Sequence, residues 1–321
     1  MSSSYVRRRL IQLVPSFFLV IVLTFVIINL APGDPSAALA GEFASPEYVV
    51  EIRKLYGFDR PVHERLLIYI GNMLTGNLGR SYFYGVPATQ VVIERIPATL
   101  LLVFPSIVLS IVIGLPLGIF AARKRPSRTT AAIVFQAYIL FSIPIFVFGL
   151  LLMIIFAVYL AILPSGGMIS QFYATGLERA ADVLRHLVLP MLTLALIWGV
   201  PQFVRLTYSA IVEVSKEEFI TTARAIGLDE GAVFRRHAFR NAMLPVATIA
   251  GIWISSAITG AVFTETVFSW PGIGSLLFDS ILLRDYTVIM FIFILTAISV
   301  IIVSLITDII YARLDPRIRL R

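Results

Sequence analysis

Cysteine is absent from all 321 residues, which excludes a disulfide framework and thiolate chemistry. Histidine is almost absent. His63, His186 and His237 stand far apart with no H-x-x-x-H pair, so no metal or catalytic centre is expected. No G-x-x-x-x-G-K-[ST] occurs, so the chain has no P-loop for nucleotide phosphates. Charge is scarce as well, at 14% of residues against about 25% in soluble domains. What fills the space is apolar: 58% hydrophobic residues and a mean hydropathy of +0.91 describe a membrane chain.

Six stretches are free of Asp, Glu, Lys and Arg: Leu10–Leu30, Ile96–Ala122, Thr129–Leu163, Leu187–Val204, Asn241–Thr264 and Tyr286–Thr307. A spanning helix needs about 20 apolar residues, so the expectation is an all-α integral membrane protein with six transmembrane helices. The fourth stretch is short and is expected to continue past Arg205; the third is expected to kink at Pro144. Leu10–Leu30 exceeds the apolar core of a signal peptide, about 7–15 residues, and reads as a retained span despite Ala38-Leu39-Ala40. Lys and Arg cluster at Arg7–Arg9, Arg123–Arg128, Arg205–Arg240 and Arg313–Arg321. By the positive-inside rule both termini and residues 215–245 face the cytoplasm, while 31–95 forms an outside loop. That topology accounts for the formal charge of +7, and nucleic acid is not an expected partner. No acidic or basic residue falls in the central part of any stretch, which argues against an ion-coupled carrier. Span residues such as Asn29, Gln136, Ser142, Thr193, Ser255, Ser256, Thr259, Thr296 and Ser299 either bond to their own helices, the favoured reading, or wet a pathway.

Residues 215–245 are the charged island in this apolar chain. Ser215 and Glu218 have capping-box spacing, predicting a helix start. Phe219, Ala223 and Ile226 fall on one face, with Ile220 beside them. Gly227 is placed to end that helix in the left-handed conformation. Asp229 is placed to cap a second helix with Glu230 in its first turn, and Arg235, Arg236 and Arg240 sit toward its C-terminal end, where the helix dipole favours cations. The segment reads as two short amphipathic helices at a glycine elbow, presented to a partner.

Thr222-Ala223-Arg224-Ala225-Ile226-Gly227-Leu228 and Arg236-His237-Ala238-Phe239-Arg240-Asn241-Ala242-Met243-Leu244-Pro245 resemble the E-A-A-x-x-x-G…L-P signature of ABC importer permeases. Thr221 in place of Glu and the long Gly-to-Leu spacing resemble its oligopeptide/dipeptide/nickel branch. Pro32–Pro35, Leu55-Tyr56-Gly57-Phe58-Asp59-Arg60-Pro61 and Gly76-Asn77-Leu78-Gly79-Arg80-Ser81 are similar to the "B"-type subunit of that branch. So are Glu265–Gly274, Arg284-Asp285-Tyr286 and the tail Asp315–Arg319. The resemblance covers essentially the whole chain.

It implies a type I ABC importer permease fold, one permease domain over 1–321, in a prokaryotic inner membrane. The implied partners are a second permease, two ABC ATPase subunits, an extracytoplasmic binding protein and membrane lipid. ATP and Mg would be bound by the ATPases, with no cofactor in this chain and no catalysis by it. Glu218, Thr222, Ala223, Arg224, Ala225, Gly227, Leu228 and Asp229 would form the ATPase-coupling segment, with Leu244 and Pro245 as its structural signature. Ala223, Ala225 and Gly227 would allow close approach, and Arg224 and Glu218 polar rim contacts. Peptides are the first expected cargo; nickel, glutathione or oligosaccharide are the alternatives, and a stand-alone channel or ion-coupled carrier stands behind them.

Gly114-x-x-x-Gly118 predicts close helix packing, and Pro105, Pro116, Pro144 and Pro201 predict kinks. Ser45-Pro46-Glu47 predicts a helix start ending at Gly57, with another helix after Arg60-Pro61. The apolar stretch Glu265–Gly274, holding Pro and two glycines, cannot run as a lipid-exposed helix and should be a turn buried against protein.

Overall fold

The computed structural model describes residues 15, 18–27, 29, 34–40, 44–170, 175–243, 246–247 and 261–314. Among these residues every regular element is helical, apart from one isolated bridge between Arg80 and Pro87. Among the described residues three helical stretches are long and apolar enough to cross a membrane: Ala88–Arg123, Gly176–Val214 and the Tyr286–Leu305 part of the last helix. A fourth candidate is a broken pair, Arg128–Ser142 and Ile145–Tyr159, bent by 93°. The first expected span is represented by the apolar helix Phe18–Ile27. Most of the fifth lies outside the described residues, as do Leu244, Pro245 and the tail from Asp315.

In chain order the helices used below are α1 (Pro46–Leu55), α2 (Val62–Leu74), α3 (Ala88–Ile93), α4 (Ile96–Arg123), α5 (Arg128–Ser142), α6 (Ile145–Met153), α7 (Gly176–Leu194), α8 (Val200–Val214), α9 (Glu218–Ala225), α10 (Glu230–Ala232), α11 (Ile273–Leu282) and α12 (Tyr286–Leu314). The chain divides into two compact units. One takes its described residues from 100–270 and 302–314, the other from 2–99 and 271–301.

In the first unit, α4 packs on α8 through its two glycines. A Cβ at Gly114 would lie 2.7 Å from the Phe203 Cβ and 2.9 Å from the Val200 carbonyl oxygen; at Gly118 it would lie 2.7 Å from the Thr207 Cβ and 2.8 Å from the Val204 carbonyl oxygen. Neither position admits a larger residue without separating the helices, so the G-x-x-x-G serves internal packing. The expected kink at Pro144 is present: Ile143 is extended at φ −78° and ψ 127°, the conformation a following proline favours. Pro105 and Pro116, by contrast, sit inside an unbroken α4. Ahead of Pro201 a π-helical turn, Ala195–Gly199, joins α7 to α8, so the fourth stretch does run on through Arg205 to Val214. The Arg205 guanidinium stands 4.5 Å from the Tyr138 ring and 5.0 Å from Phe141, where cation–π attraction offsets its weak hydration.

Four of the span residues expected to satisfy themselves do so, while Ser255, Ser256 and Thr259 lie outside the described residues. Asn29 and Thr296 donate to carbonyls four residues back in helices, as does Thr193 to Leu189; Ser142 donates to the Ile139 carbonyl. Of Glu265–Gly274 only the middle is the expected turn: Glu265–Val267 end a helix and Ile273 opens α11, while between them Phe268 and Trp270 are fully covered, Ser269 has φ +49° and the Trp270 N–H bonds to the Glu265 carbonyl at 2.8 Å.

In the second unit, α1 starts where Ser45 accepts from the Tyr48 N–H and ends at Gly57, φ +69°, with the Phe58 N–H returning to the Arg53 carbonyl at 2.9 Å. Val91 and Val92 of α3, Leu276 of α11, and Val288 and Ile292 of α12 form its buried apolar cluster.

Candidate functional site

The island is built on its own core. Ile220 and Ala223 from α9 pack with Val233 and Ala238 from the α10 region, backed by Val214, Leu228 and Phe234. After α10 the helix widens into a π-helical stretch, Val233–Phe239. The Arg123 guanidinium at the end of α4 stands 4.9 Å from the Phe234 ring, holding the island to that helix.

The glycine elbow forms as expected. Gly227 has φ +86°, its N–H bonds to the Arg224 carbonyl at 3.0 Å and the Leu228 N–H to the Ala223 carbonyl at 3.3 Å, a C-terminal cap that needs a left-handed residue. The Asp229 carboxylate accepts from the Gly231 and Ala232 N–H groups at 2.7 and 3.1 Å, capping α10 as expected.

Two expectations are corrected. Ser215 does not open α9: it closes α8, its hydroxyl donating to the Ile211 carbonyl at 2.6 Å, and α9 starts at Glu218 after an uncapped Glu217. The S-x-x-E spacing misleads because a serine in the last turn satisfies itself against its own helix. The apolar face is also different. Ile220 and Ala223 are buried, whereas Phe219 is 41% and Ile226 71% exposed.

Of the expected coupling residues, Glu218, Thr222, Arg224, Ala225, Gly227 and Asp229 are on the surface, Leu228 is half-buried and Ala223 is inside. The small Ala223 therefore serves packing within the island. Thr222 bonds to its own helix at the Glu218 carbonyl. Arg224 pairs with Glu230 in two contacts, 2.8 and 3.3 Å, bracing α9 against α10. That partner is six residues ahead across an elbow, which helix periodicity alone does not disclose. The structure thus leaves Phe219 and Ile226 as an apolar pair outside a self-contained fold.

A second constellation lies in the other unit. Asp285, 1% exposed, accepts from the Ser81 hydroxyl, from the Phe83 N–H at 3.3 Å and, with its other oxygen, from the Val288 N–H at 3.3 Å. It caps α12 while tying down the Gly76–Ser81 motif 204 residues earlier. Gly79 has φ +81°, and a Cβ there would lie 3.0 Å from the Thr287 Cγ2. Tyr82, next in the chain, stacks edge-on to Tyr56 at 4.9 Å and Phe58 at 5.7 Å. Burial pushes its phenol above the usual range, against a hydrogen bond with Thr287 that lowers it. Three motifs noted separately in the sequence therefore meet in one place.

His186 lies within α7 and is buried. Its Nδ1 is 2.8 Å from the Asp182 carbonyl and its Nε2 3.0 Å from the Ser170 hydroxyl, while the Ser170 N–H donates to the Asp182 carboxylate at 2.7 Å. Both ring nitrogens thus have partners, and the ring fastens the segment after α6 to α7. The i, i+4 spacing of Asp182 and His186 was its only sequence signal.

Residues 114–320 match the family described as "Binding-protein-dependent transport system inner membrane component", and residues 2–103 match the N-terminal membrane component of such systems. The di/tripeptide transport system permease protein DppB of Pseudomonas aeruginosa is 38% identical, with 98% of each chain aligned. The oligopeptide permease AppB of Bacillus subtilis is 36% identical over 98% of this chain and 99% of its own. The glutathione permease GsiC of Escherichia coli is 36% identical with the same coverage. A chain of the MetNI methionine ABC transporter, inward facing, superposes on 71% of this chain and 98% of its own with a TM-score of 0.57 at 19% identity, a likeness of fold.

Proposed function

The chain belongs to the inner-membrane permeases of binding-protein-dependent ABC transporters, in the peptide-type branch, and from that premise we propose that it forms half of the pathway of a peptide importer and docks on an ATPase through residues 215–245. In this reading it crosses the membrane six times with both termini and the island cytoplasmic and 31–95 outside. A second permease completes the pathway, two ATPase subunits bind ATP and Mg, and an extracytoplasmic binding protein delivers the peptide.

The observation that carries the docking role is the exposed pair Phe219 and Ile226 on a segment with its own buried Ile220–Ala223–Val233–Ala238 core. An apolar pair kept in water by a folded support is what an interface anchor requires. Ala225 and Gly227 beside it lack bulk and let a facing surface approach, while Glu218 lies at the edge of the same exposed face. ATP-driven movement of the ATPases would then act on α4 through Arg123 and on α8 through the short link at Ser215. Such coupling requires that the contacts differ between the inward- and outward-facing states.

The test is Phe219→Asp with Ile226→Asp. Because both side chains are exposed, the variant should insert and fold normally, yet lose ATPase co-purification and ATP-dependent uptake of a labelled tripeptide. Normal uptake by this variant defeats the docking assignment. Glutathione, itself a tripeptide with an additional carboxylate, is a second cargo reading, favoured by the 36% identity to a glutathione permease; competition between glutathione and trialanine for uptake separates the two.

A further inference from the structure

The motif segments of the second unit line a cavity of about 340 Å³ that is open to one side, within the range of small-ligand pockets, roughly 300–1,000 Å³. Its lining holds three cations, Lys54, Arg60 and Arg65, and no aspartate or glutamate. Among the described residues none of the three is in an ion pair. Its walls are aromatic. Tyr82 meets Tyr56 and Phe58 edge-to-face, Tyr56 and Phe58 stack on each other at 6.1 Å, and the Arg65 guanidinium stands 5.3 Å from the centre of the Phe58 ring. Asn72 and Asn77 also line it, beside apolar residues such as Phe25, Leu78 and Met290; Asn77 Oδ1 accepts from the Gly79 N–H at 3.3 Å, leaving its nitrogen as a donor.

The cations are not placed by chance along the chain. Lys54 and Arg60 flank Tyr56-Gly57-Phe58, and the left-handed Gly57 brings the end of α1 round so that a Cβ there would sit 3.6 Å from the Arg60 Nε. The Ser81–Asp285 bond fixes the wall carrying Gly79 and Tyr82 against Thr287. Three positive groups without an ion-pair partner, Lys54 and Arg60 exposed and Arg65 half-buried, face one concave volume and raise its potential. Guanidinium groups match the paired oxygens of carboxylates and phosphates, and the rings beside them offer apolar surface to whatever carries the anion.

We propose that this cavity is an oxyanion-binding site, taking a carboxylate or phosphate monoanion joined to an apolar or aromatic body. The anion lies among Lys54, Arg60 and Arg65 and the body along Tyr56, Phe58 and Tyr82. Two sources carry this chemistry: the C-terminal carboxylate of a short peptide, which rests on the transport reading above, and the phosphate of an anionic lipid, which does not.

The full chain in phosphatidylcholine nanodiscs is titrated with N-acetylphenylalanine and with its amide, read by saturation-transfer NMR. A parallel set of discs contains phosphatidylglycerol, with retained lipid counted by native mass spectrometry. The acid is expected to bind at least tenfold more tightly than the amide, and Arg60→Gln with Arg65→Gln to abolish the preference while Arg65→Lys keeps part of it. Loss of probe binding in phosphatidylglycerol discs, with fewer lipids retained by the double variant, identifies the lipid as the source; undisturbed probe binding identifies the free carboxylate. No acid-over-amide preference together with equal lipid retention by wild type and variant overturns the proposal. If the double variant does not fold, the wild-type preference must weaken as salt rises, and a salt-independent preference overturns it. No ATPase enters the experiment, so its failure leaves the permease reading untouched.

Discussion

The island at 215–243 and the Ser81–Asp285 joint are both polar interruptions of an apolar chain, and they are built in opposite ways. The island is local: its core, caps and ion pair all come from about thirty consecutive residues, and its charges remain in water, with Arg224 47% and Glu230 73% exposed at the side chain. The joint is long-range and dry. Its carboxylate, a hydroxyl and two backbone N–H groups meet across 204 residues with almost no solvent contact. A polar contact in water is replaceable by water, whereas one in a dry place is not. Equivalent-looking substitutions should therefore cost much more in the joint than in the island.

The largest effect is expected for Asp285→Ala. It leaves the Ser81 hydroxyl and the Phe83 N–H without their acceptor and uncaps α12. Each buried orphan costs about 1–3 kcal/mol and a lost cap about 1 kcal/mol, so a loss on the order of 3 kcal/mol is expected after allowing for non-additivity. Thermal unfolding of the purified chain reads it, and Asp285→Asn, which keeps one acceptor, should lose less. If Asp285→Ala melts with the wild type, burial is not what separates the two regions.

A matched pair of glycines sharpens the point. Gly79 and Gly227 share a positive φ, +81° and +86°, but a Cβ at Gly227 would meet nothing within 4 Å while one at Gly79 would meet the Thr287 Cγ2 at 3.0 Å. Gly227→Ala should cost only the left-handed backbone term, about 1–2 kcal/mol. Gly79→Ala should cost that and a contact term besides. Adding Thr287→Ser, which removes the offending methyl, should bring Gly79→Ala back toward the Gly227→Ala value in the same unfolding assay. Equal costs for the two alanines would show that the contact relaxes freely.

How much of this was legible in the sequence follows the same division. Local devices were readable because their physics is local: the Ser45 and Asp229 caps, the left-handed Gly57 and Gly227, the break at Pro144 and the Gly114–Gly118 packing all stand where their residue types put them. The misreadings occurred where a local pattern has two physical outcomes. Ser215 with Glu218 fits the start of a helix, yet the hydroxyl closes the preceding one. Phe219, Ala223 and Ile226 fit one apolar face with Ile220 beside it, yet the partners that define the inside, Val233 and Ala238, arrive only after the elbow and bury Ile220 and Ala223 instead. The joint was visible only as separate motifs, because no spacing rule links Ser81 to Asp285, and the buried His186 was hidden by a weak i, i+4 signal.

Arg224→Gln breaks the island's ion pair and is expected to cost little, about 0.5 kcal/mol, since exposed pairs contribute in that range and are screened by salt. In high salt the difference from wild type should vanish. A loss comparable to that of Asp285→Ala would mean the pair is shielded, and the contrast with the joint would collapse.

The smallest effect decides whether burial or region matters, because the second unit has an exposed pair of its own. Arg53 donates to Asp34 with side chains 44% and 33% exposed. Burial pushes the Asp34 carboxyl up, but the hydrogen bonds from Arg53 and from the Ser36 N–H outweigh it and hold the carboxyl below its usual value. A folded-state value below the unfolded one means stabilisation that is complete above the unfolded pKa and is lost as pH falls through the folded one. The loss should therefore begin below about pH 4, where a free aspartate starts to protonate. Solvent screening keeps it to a few tenths of a kcal/mol, of the order seen for exposed pairs. Asp34→Asn should remove this acid dependence and change neutral-pH stability no more than Arg224→Gln does. If it costs as much as Asp285→Ala, membership of the second unit, rather than dryness, sets the energetics. If it matches Arg224→Gln, exposure alone accounts for both pairs.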